Sequence, residues 1–153
     1  HVGMSPRLLE RFDIDYFLIA MPYTWLDQNG LDDELPLCET RGAKVVIGSV
    51  FASGILATGP DATAQYGYSE APPPVVAKVQ RLIELCDKHD TSLPAAALQF
   101  PLAHPAVVSV IPGAVSPSQI NANVAAFRTE IPGQFWADLK REGLVRIDAP
   151  VPL

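Results

Sequence analysis

Three apolar runs rich in β-branched residues, each followed by helical spacing, constrain the fold of this chain most. The runs lie at residues 13–21, 43–51 and 106–111, and each is typical of a short strand that is buried on both faces. Helical patterns separate them, so the order is strand, helix, strand, helices, strand, helices. Such alternation predicts an α/β fold in which parallel strands are joined by right-handed helical crossovers.

Chain length decides how much of such a fold these residues can form. Three strand–helix units suit a small doubly wound sheet or a part of a (β/α)8 barrel. A complete barrel needs roughly 250 residues, whereas the chain has 153. The chain therefore cannot close a barrel by itself.

Composition excludes several classes of protein. The chain is 48% hydrophobic and 18% charged, which favours one soluble globular unit. Its net charge of −6 argues against binding to nucleic acid, because phosphates repel it. No apolar run approaches the roughly 20 residues of a membrane span, and the first residues lack the pattern of a signal peptide. We therefore expect no nucleic-acid partner and no membrane partner.

The two cysteines indicate a reducing compartment. Cys38 and Cys86 lie far apart on predicted helices, without the spacing of a metal site. Buried, reduced thiols of a cytoplasmic protein are the simplest interpretation. We expect no metal ligands.

Ligands of both α/β architectures bind at the carboxyl ends of the strands, so the segments after the three strands are the candidate sites. After the third strand, Ser116 and Gln119 have the spacing of a capping box, and Pro117 suits the first helical position. Gln119 and Asn123 are four residues apart and share a helix face. Two such amides can hydrogen-bond the edge of a base, although an ordinary capped helix with two exposed amides has the same pattern.

The segment after the second strand carries small residues that suit a phosphate. Ser49, Ser53 and Gly54 follow the strand directly, but no Gly-x-Gly-x-x-Gly or Walker pattern accompanies them. Residues 57–74 then form a long loop rich in glycine and proline, with Tyr66 and Tyr68. This loop is either a mobile flap beside the site or a plain surface loop.

No set of catalytic residues can be assembled from the pattern. A Gly-x-Ser-x-Gly nucleophile motif is absent from the sequence. His89 and His104 lie at predicted helix ends, where a structural role is favoured. Four carboxylates are typical of a helix N-terminus and a solvated face: Asp27, Asp32, Asp33 and Glu34. We therefore expect no catalytic residue in this chain.

Three segments carry a resemblance to a known family. They are FDIDYFLIAMPYTWLD at 12–27, VVIGSVFASGILATGP at 45–60 and ALQFPLAHPAVVSVIPGAVSPSQINANVAAF at 97–127. Together they resemble the last strands and the cofactor helix of the aldo-keto reductases, most closely the branch of bacterial aldose 1-dehydrogenases. The resemblance runs through nearly the whole chain.

The resemblance implies that residues 1–153 form one partial domain, the C-terminal half of a (β/α)8 barrel with about three parallel strands. The family's catalytic Asp, Tyr, Lys and His come from the earlier strands, and none has a counterpart here. Tyr23 matches a tyrosine that follows the sixth strand, and it is not the catalytic one. The implied partners are the N-terminal half of the barrel and a small-molecule sugar or aldehyde, which the complete enzyme oxidises to a lactone.

The resemblance also implies a nicotinamide dinucleotide as cofactor. Its pyrophosphate is expected in the loop from Ser49 to Leu56, its adenosine ribose along Ile111 to Ala114, and its adenine beside two amides. The implied cofactor-binding residues are Ser49, Val50, Phe51, Ser53, Gly54, Leu56, Ile111, Gly113, Ala114, Gln119 and Asn123.

Departures from the family pattern bear on the cofactor. Gly48 stands where many members stack an aromatic ring on the nicotinamide, and Phe51 is an alternative ring for that stacking. Ala20 stands where members commonly have a glutamine. Gly113 and Gln119 stand where NADP-using members often carry Lys and Arg. Because the 2′-phosphate of NADP then lacks those cations, the sequence favours NAD over NADP.

Two alternatives remain open on the sequence alone. One is a non-catalytic, nucleotide-binding half-barrel. The other is a truncated remnant whose open strand edges favour self-association.

Overall fold

A computed structural model describes residues 3–61 and 64–152. The strands are β1 (Tyr16–Ala20), β2 (Lys44–Gly48), β3 (Gln65–Tyr66), β4 (Ser69–Glu70) and β5 (Val107–Ile111). The α-helices are α1 (Met4–Leu9), α2 (Glu34–Arg41), α3 (Ile55–Thr58), α4 (Pro73–Lys88), α5 (Leu93–Gln99), α6 (Pro117–Arg128) and α7 (Gly133–Arg141).

The main sheet is parallel, in the order β1-β2-β5. Helix α2 connects β1 to β2, and α4 and α5 lie between β2 and β5. The predicted α/β class with three parallel strands is therefore confirmed. Strands β3 and β4 form a small antiparallel hairpin of their own.

Local signals in the sequence set several helix boundaries. The hydroxyl of Ser92 accepts a hydrogen bond from the N–H of Ala95, and that of Ser116 accepts one from the N–H of Gln119. Both serines therefore cap their helices, as predicted for Ser116. Gly42 ends α2 with φ +76°, a left-handed conformation that glycine adopts without strain.

The carboxylate of Glu34 differs from the expectation of a solvated face. Glu34 is only 3% exposed, and its Oε1 accepts hydrogen bonds from the N–H of Gly3 at 2.9 Å and from the hydroxyl of Ser5 at 3.5 Å. These bonds join the start of α1 to α2. The spacing of acidic residues could not reveal this, because the contact joins positions about 30 residues apart.

The core lies between the sheet and its helices. It is dominated by large side chains from several elements, among them Tyr23, Trp25, Phe100, Phe135 and Leu35. Both cysteines are buried and unpaired, as predicted. Burial raises the pKa of both thiols, that of Cys86 to about 12, which keeps them protonated and unreactive.

The prediction that the strands are buried on both faces is wrong for the outer two. Tyr16 and Leu18 of β1 are 67% and 62% exposed, and Ile111 of β5 is 53% exposed. Register places Leu18 beside Val46, and Val46 beside Ser109, on one face of the sheet. That face is not covered by the described residues, although it carries large apolar side chains such as Leu18 and Ile111. An apolar run does not reveal whether something packs on each side.

The segment predicted as a long loop contains regular structure. A 3-10 turn (Ala52–Gly54), helix α3 and the β3–β4 hairpin lie between β2 and α4. Residues 62 and 63 of this segment lie outside the described residues. Within the described ranges, no helix is long and apolar enough to cross a membrane, and no group of side chains could hold a metal.

Candidate functional site

A cavity of about 670 Å³ opens at the carboxyl ends of β2 and β5. Its wall combines the loops after these two strands with residues from β1, α3, α5 and α6. It is lined by Leu18, Ala20, Gly48, Ser49, Phe51, Ala52, Ser53, Gly54, Ala57, Thr58, Pro94, Ile111, Gly113, Gln119, Ala122, Asn123 and Ala126. This is the end of a parallel sheet where ligands of α/β proteins bind.

The loop after β2 has an unusual backbone. Ser49, Ala52 and Ser53 have φ values of +55°, +48° and +63°, and Gly54 follows with +103°. Each non-glycine residue in this conformation costs about 1–3 kcal/mol, and such strain concentrates at functional sites. Mixed left- and right-handed turns of this kind form concave surfaces of N–H groups that attract anions. The loop is therefore the part of the cavity best suited to a phosphate.

The donors of this loop are only partly used. The N–H of Ala52 donates to the carbonyl of Ser49, and that of Gly54 donates to the carbonyl of Phe51. Within the described residues, the N–H groups of Val50 and Phe51 make no hydrogen bond. Of these two residues, Val50 is fully buried and Phe51 lines the cavity, so the N–H of Phe51 is the donor of the pair that an anion in the cavity could use.

The loop after β5 is fastened to α6 by two side-chain amides. Gln119 Oε1 accepts from the N–H of Val115 at 2.7 Å, and Asn123 Nδ2 donates to the carbonyl of Gly113 at 3.4 Å. The capping serine is present as predicted, but the Gln119 side chain reaches Val115 rather than the N–H of Ser116. At Gly113 an added Cβ would meet no atom within 4 Å, so this position has room for a larger side chain.

The eleven predicted cofactor residues fall into three places. Eight of them line the cavity: Ser49, Phe51, Ser53, Gly54, Ile111, Gly113, Gln119 and Asn123. Val50 and Leu56 are fully buried in the core, so they face away from the cavity. Ala114 lines a neighbouring groove between β5 and α6, which Asn123 also lines.

Several cavity residues were not predicted. Leu18 lines the wall with Ala20, which register places beside Gly48. The period of two along β1 could have identified Leu18. Ala122 and Ala126 follow Gln119 at intervals of three and four, the spacing of one helix face. The remaining unpredicted residues belong to α5 and α3, and no local sequence pattern indicates that these helices approach the cavity. They are Pro94, Ala57 and Thr58.

The floor of the cavity is made of small residues. A Cβ at Gly48 would lie 3.6 Å from the Cβ of Ala20 and 3.8 Å from Cδ1 of Leu18, which is ordinary contact. Phe51, which is 8% exposed, is the aromatic ring of the cavity wall. A methyl group at position 48 would therefore fit without displacing a neighbour.

Within residues 3–61 and 64–152, no titratable side chain lines the cavity. Tyr23 is 1% exposed and packs in the core against Phe100 and His104; burial raises its pKa. His104 is 5% exposed, accepts a hydrogen bond from the N–H of Ala106, and has a pKa lowered by burial. The cavity can bind and orient a ligand, but its wall supplies no acid or base.

The donors and shape of the cavity fit a dinucleotide. Strained backbone with free N–H groups lies in the loop after β2, and polar amides lie on α6, within one cavity. A phosphate suits the first feature and a nitrogenous base suits the second.

Known proteins are similar to this chain in sequence and in fold. A pyridoxal 4-dehydrogenase of Microbacterium luteolum is 44% identical over 137 residues, which are 90% of this chain and 40% of that protein. A D-threo-aldose 1-dehydrogenase of a Pseudomonas species is 36% identical over 140 residues, which are 91% of this chain and 43% of that protein. The chain thus spans about two fifths of the length of these curated relatives.

A solved structure extends the comparison to the fold. An aldo-keto reductase from Bacillus halodurans, in its holo form, matches with a TM-score of 0.69 and 28% identity, over 96% of this chain and 47% of its own. The predicted fold class, part of a (β/α)8 barrel, is therefore confirmed. The model of the aldo/keto reductase family matches residues 5–142. The chain belongs to the aldo/keto reductase family.

Proposed function

We propose that this chain is the cofactor-binding half of an NAD(P)-dependent aldo-keto reductase that oxidises an aldose or a similar aldehyde-level substrate to a lactone. The observation that carries the proposal is the cavity at the carboxyl ends of β2 and β5, with its strained loop on one wall and its amides on another. Two relatives are named as dehydrogenases of pyridoxal and of a D-threo-aldose, which supports a substrate at the aldehyde level.

The nicotinamide supplies a hydride acceptor when the cofactor is bound. The residues of this chain bind and orient that cofactor. The loop from Ser49 to Gly54 offers N–H groups and hydroxyls to the pyrophosphate, and Ile111 and Gly113 flank the adenosine. Val50 and Leu56 support that loop from the core. Ala114 extends the loop after β5 towards the neighbouring groove between β5 and α6.

In this proposal acid–base chemistry comes from elsewhere, because none of the described residues that line the cavity is titratable. We propose that the N-terminal half of the barrel supplies it and also covers the exposed apolar face of the sheet. Residues 1–153 are then one partial domain. Its free, buried thiols support a cytoplasmic location.

NAD is the cofactor that the site favours. A lysine would have room at Gly113, but the position carries none, and the exposed amide of Gln119 brings no charge. A 2′-phosphate bound there would lose water without gaining a contact to a cation. Its binding would therefore be weaker, because phosphates form their strongest hydrogen bonds with charged donors.

A pair of tryptophan variants tests whether the cavity binds the cofactor. Ala122 and Ala125 are both exposed on α6, but only Ala122 lines the cavity. NADH binding to the 153-residue chain is measured by nucleotide fluorescence. We expect Ala122→Trp to abolish binding and Ala125→Trp to preserve it. Equal binding by both variants, or no binding by the parent chain, would contradict the proposal.

A second candidate is a half-barrel that binds nucleotide without catalysing a reaction. The absence of titratable groups from the cavity wall favours it. Catalytic turnover by this chain together with the remaining part of a barrel would exclude this candidate.

A further inference from the structure

The turn of the β3–β4 hairpin carries a bulky residue in a backbone conformation that favours glycine. Tyr66 and Ser69 are paired across the hairpin, so Gly67 and Tyr68 form its two-residue turn. Both have positive φ, +62° and +65°, as the type I′ turns of hairpins require. Glycine and asparagine are usual at such positions, whereas an aromatic residue is strained there. The turn itself therefore does not explain why position 68 is a tyrosine.

The side chain of Tyr68 contributes little to the folding of the chain. It is 86% exposed, and the core packs against Tyr66 but not against Tyr68. A single exposed aromatic residue needs no explanation by itself. One that is also held in strained backbone indicates a role outside folding, because such strain persists mainly at functional sites.

A hydrogen bond holds this turn beside the candidate cavity. The backbone N–H of Tyr68 donates to the hydroxyl of Ser53 at 3.3 Å, and Ser53 lines the cavity in the loop after β2. Because the hydroxyl is the acceptor of this bond, its own hydrogen stays available to a ligand. The backbone of Tyr68 therefore lies next to the wall of the cavity that is best suited to a phosphate.

We propose that the ring of Tyr68 turns over the mouth of this cavity and packs on a bound dinucleotide, which makes Tyr68 a ligand-binding residue. The inference rests on the proposed function. Only side-chain torsions have to change, since the hydrogen bond to Ser53 already holds the backbone of Tyr68 in place. The strained turn serves to keep the start of this side chain beside the Ser53 loop.

The chemistry of the ligand explains why an aromatic ring is useful at the mouth. A dinucleotide whose pyrophosphate lies in the Ser53 loop has a ribose on each side of that pyrophosphate. A ribose offers carbon-bound hydrogens as well as hydroxyls, and a tyrosine ring packs on the former while its own hydroxyl stays in water. Phe51, the aromatic ring of the cavity wall, is 8% exposed and fixed in that wall. Tyr68 supplies the apolar contact on the open side.

Replacement by glycine separates the ring from the turn. Glycine adopts φ +65° without strain, so Tyr68→Gly should keep or raise the melting temperature while it removes the ring. Tyr68→Phe keeps both the ring and the strain, and it is the matched control. Fluorescence titration of the 153-residue chain with NADH measures binding. We expect Tyr68→Gly to weaken NADH binding about fivefold to tenfold and Tyr68→Phe to change it less than about twofold.

This inference and the proposed function fail in different ways. Equal NADH affinity of Tyr68→Gly and the parent chain would overturn the role of Tyr68 and leave the nucleotide function standing. A parent chain that does not bind NADH would overturn both. A Tyr68→Gly variant that melts well below the parent chain would show a structural role and would also overturn the inference.

Nitration of tyrosines by tetranitromethane gives a readout that needs no variant. Tyr68 and Tyr16 are 86% and 67% exposed, so both should be nitrated in the free chain. Tyr16 lies at the amino end of β1, outside the cavity wall, and is the internal control. Saturating NAD should slow the nitration of Tyr68 severalfold and leave that of Tyr16 unchanged, as measured by mass spectrometry of the peptides. Equal nitration of Tyr68 with and without NAD would overturn the inference.

Discussion

The backbone N–H of Tyr68 donates a 3.3 Å hydrogen bond to the hydroxyl of Ser53. Tyr68 lies at the tip of the β3–β4 hairpin, with φ +65° and 86% of its surface exposed. Ser53 lines the cavity in the strained loop after β2. Among the residues that the structure describes, this hydrogen bond attaches the hairpin to a wall of the proposed cofactor site.

This attachment predicts that cofactor binding protects residues 57–74 from proteases. A ligand that orders the Ser53 loop also strengthens the hydrogen bond that holds the hairpin. Limited proteolysis with and without saturating NADH, with the fragments identified by mass spectrometry, measures the effect. We expect slower cleavage with NADH, and faster cleavage in Ser53→Ala. If NADH leaves cleavage unchanged, the segment is a plain surface loop.

Cofactor choice depends on two neutral positions. Replacing Gly113 by Lys and Gln119 by Arg adds two cations where the loop has room. We expect the NADPH-to-NADH affinity ratio to rise about tenfold, equivalent to ~1.4 kcal/mol, allowing for screening by solvent. Fluorescence titration with both nucleotides measures the ratio, and a complete enzyme would show the same change in kcat/KM.

Asn123→Ala is the control for that pair. It removes the proposed contact to adenine and releases the carbonyl of Gly113. Both losses should affect NADH and NADPH alike. Affinity should fall for the two nucleotides by the same factor. A parent chain that already prefers NADPH, or a double variant with an unaltered ratio, would show that these residues do not lie beside the 2′ position.

A buried carboxylate predicts how stability changes with pH. Asp138 is 3% exposed and accepts hydrogen bonds from Gln134, Arg141, Lys88 and His89. These hydrogen bonds hold the pKa of Asp138 well below its usual range, and the bond from Gln134 contributes most. Burial alone would raise this pKa, but the hydrogen bonds outweigh it. Its ionised form therefore stabilises the fold at any pH above the unfolded value of about 3.9, and the contribution is lost as pH falls towards the folded pKa.

Melting temperatures of the parent chain and Asp138→Asn across acidic pH measure this contribution. The difference should be several degrees at neutral pH and should shrink below about pH 4. Glu130→Gln, at an exposed carboxylate without an ion pair among the described residues, is the matched control. A difference that is constant down to about pH 2 would contradict the assignment.

The uncovered face of the sheet predicts self-association of the isolated chain. Tyr16 and Leu18 are exposed on β1, beside an open strand edge. Light scattering should find dimers or larger species, and replacing both residues by Lys should shift them towards monomer. Val115→Lys changes an equally apolar residue off the sheet and should have little effect. A monomeric parent chain with a sharp thermal transition would argue against an open half-barrel.

The sequence predicted the parts of this structure that depend on local chemistry. Ser116 caps α6 as expected, since a capping side chain acts within a few residues of the helix start. A phosphate site after β2 was predicted from Ser49, Ser53 and Gly54 and stays a prediction; the positive φ values of this loop lie also at Ser and Ala positions that no pattern marks.

Contacts between distant segments could not be predicted in this way. Glu34 has the sequence context of a solvated helix start, yet it is buried by Gly3 and Ser5. A local pattern can also leave the partner open: Gln119 has the spacing of a capping box, yet its oxygen accepts from the N–H of Val115, one residue before the expected N–H of Ser116. Pro94 reaches the cavity through the packing of α5, which no short motif encodes.

The measurement that tests the central claim most directly is NADH formation from a panel of aldoses and NAD. It is made on the purified 153-residue chain alone, and again after refolding with the part of the Pseudomonas D-threo-aldose 1-dehydrogenase that this chain does not match. A cofactor-binding half that depends on a second half for its acid and base gives no NADH alone and measurable NADH in the mixture. NADH formation by the chain alone, free of host enzymes, would contradict that account.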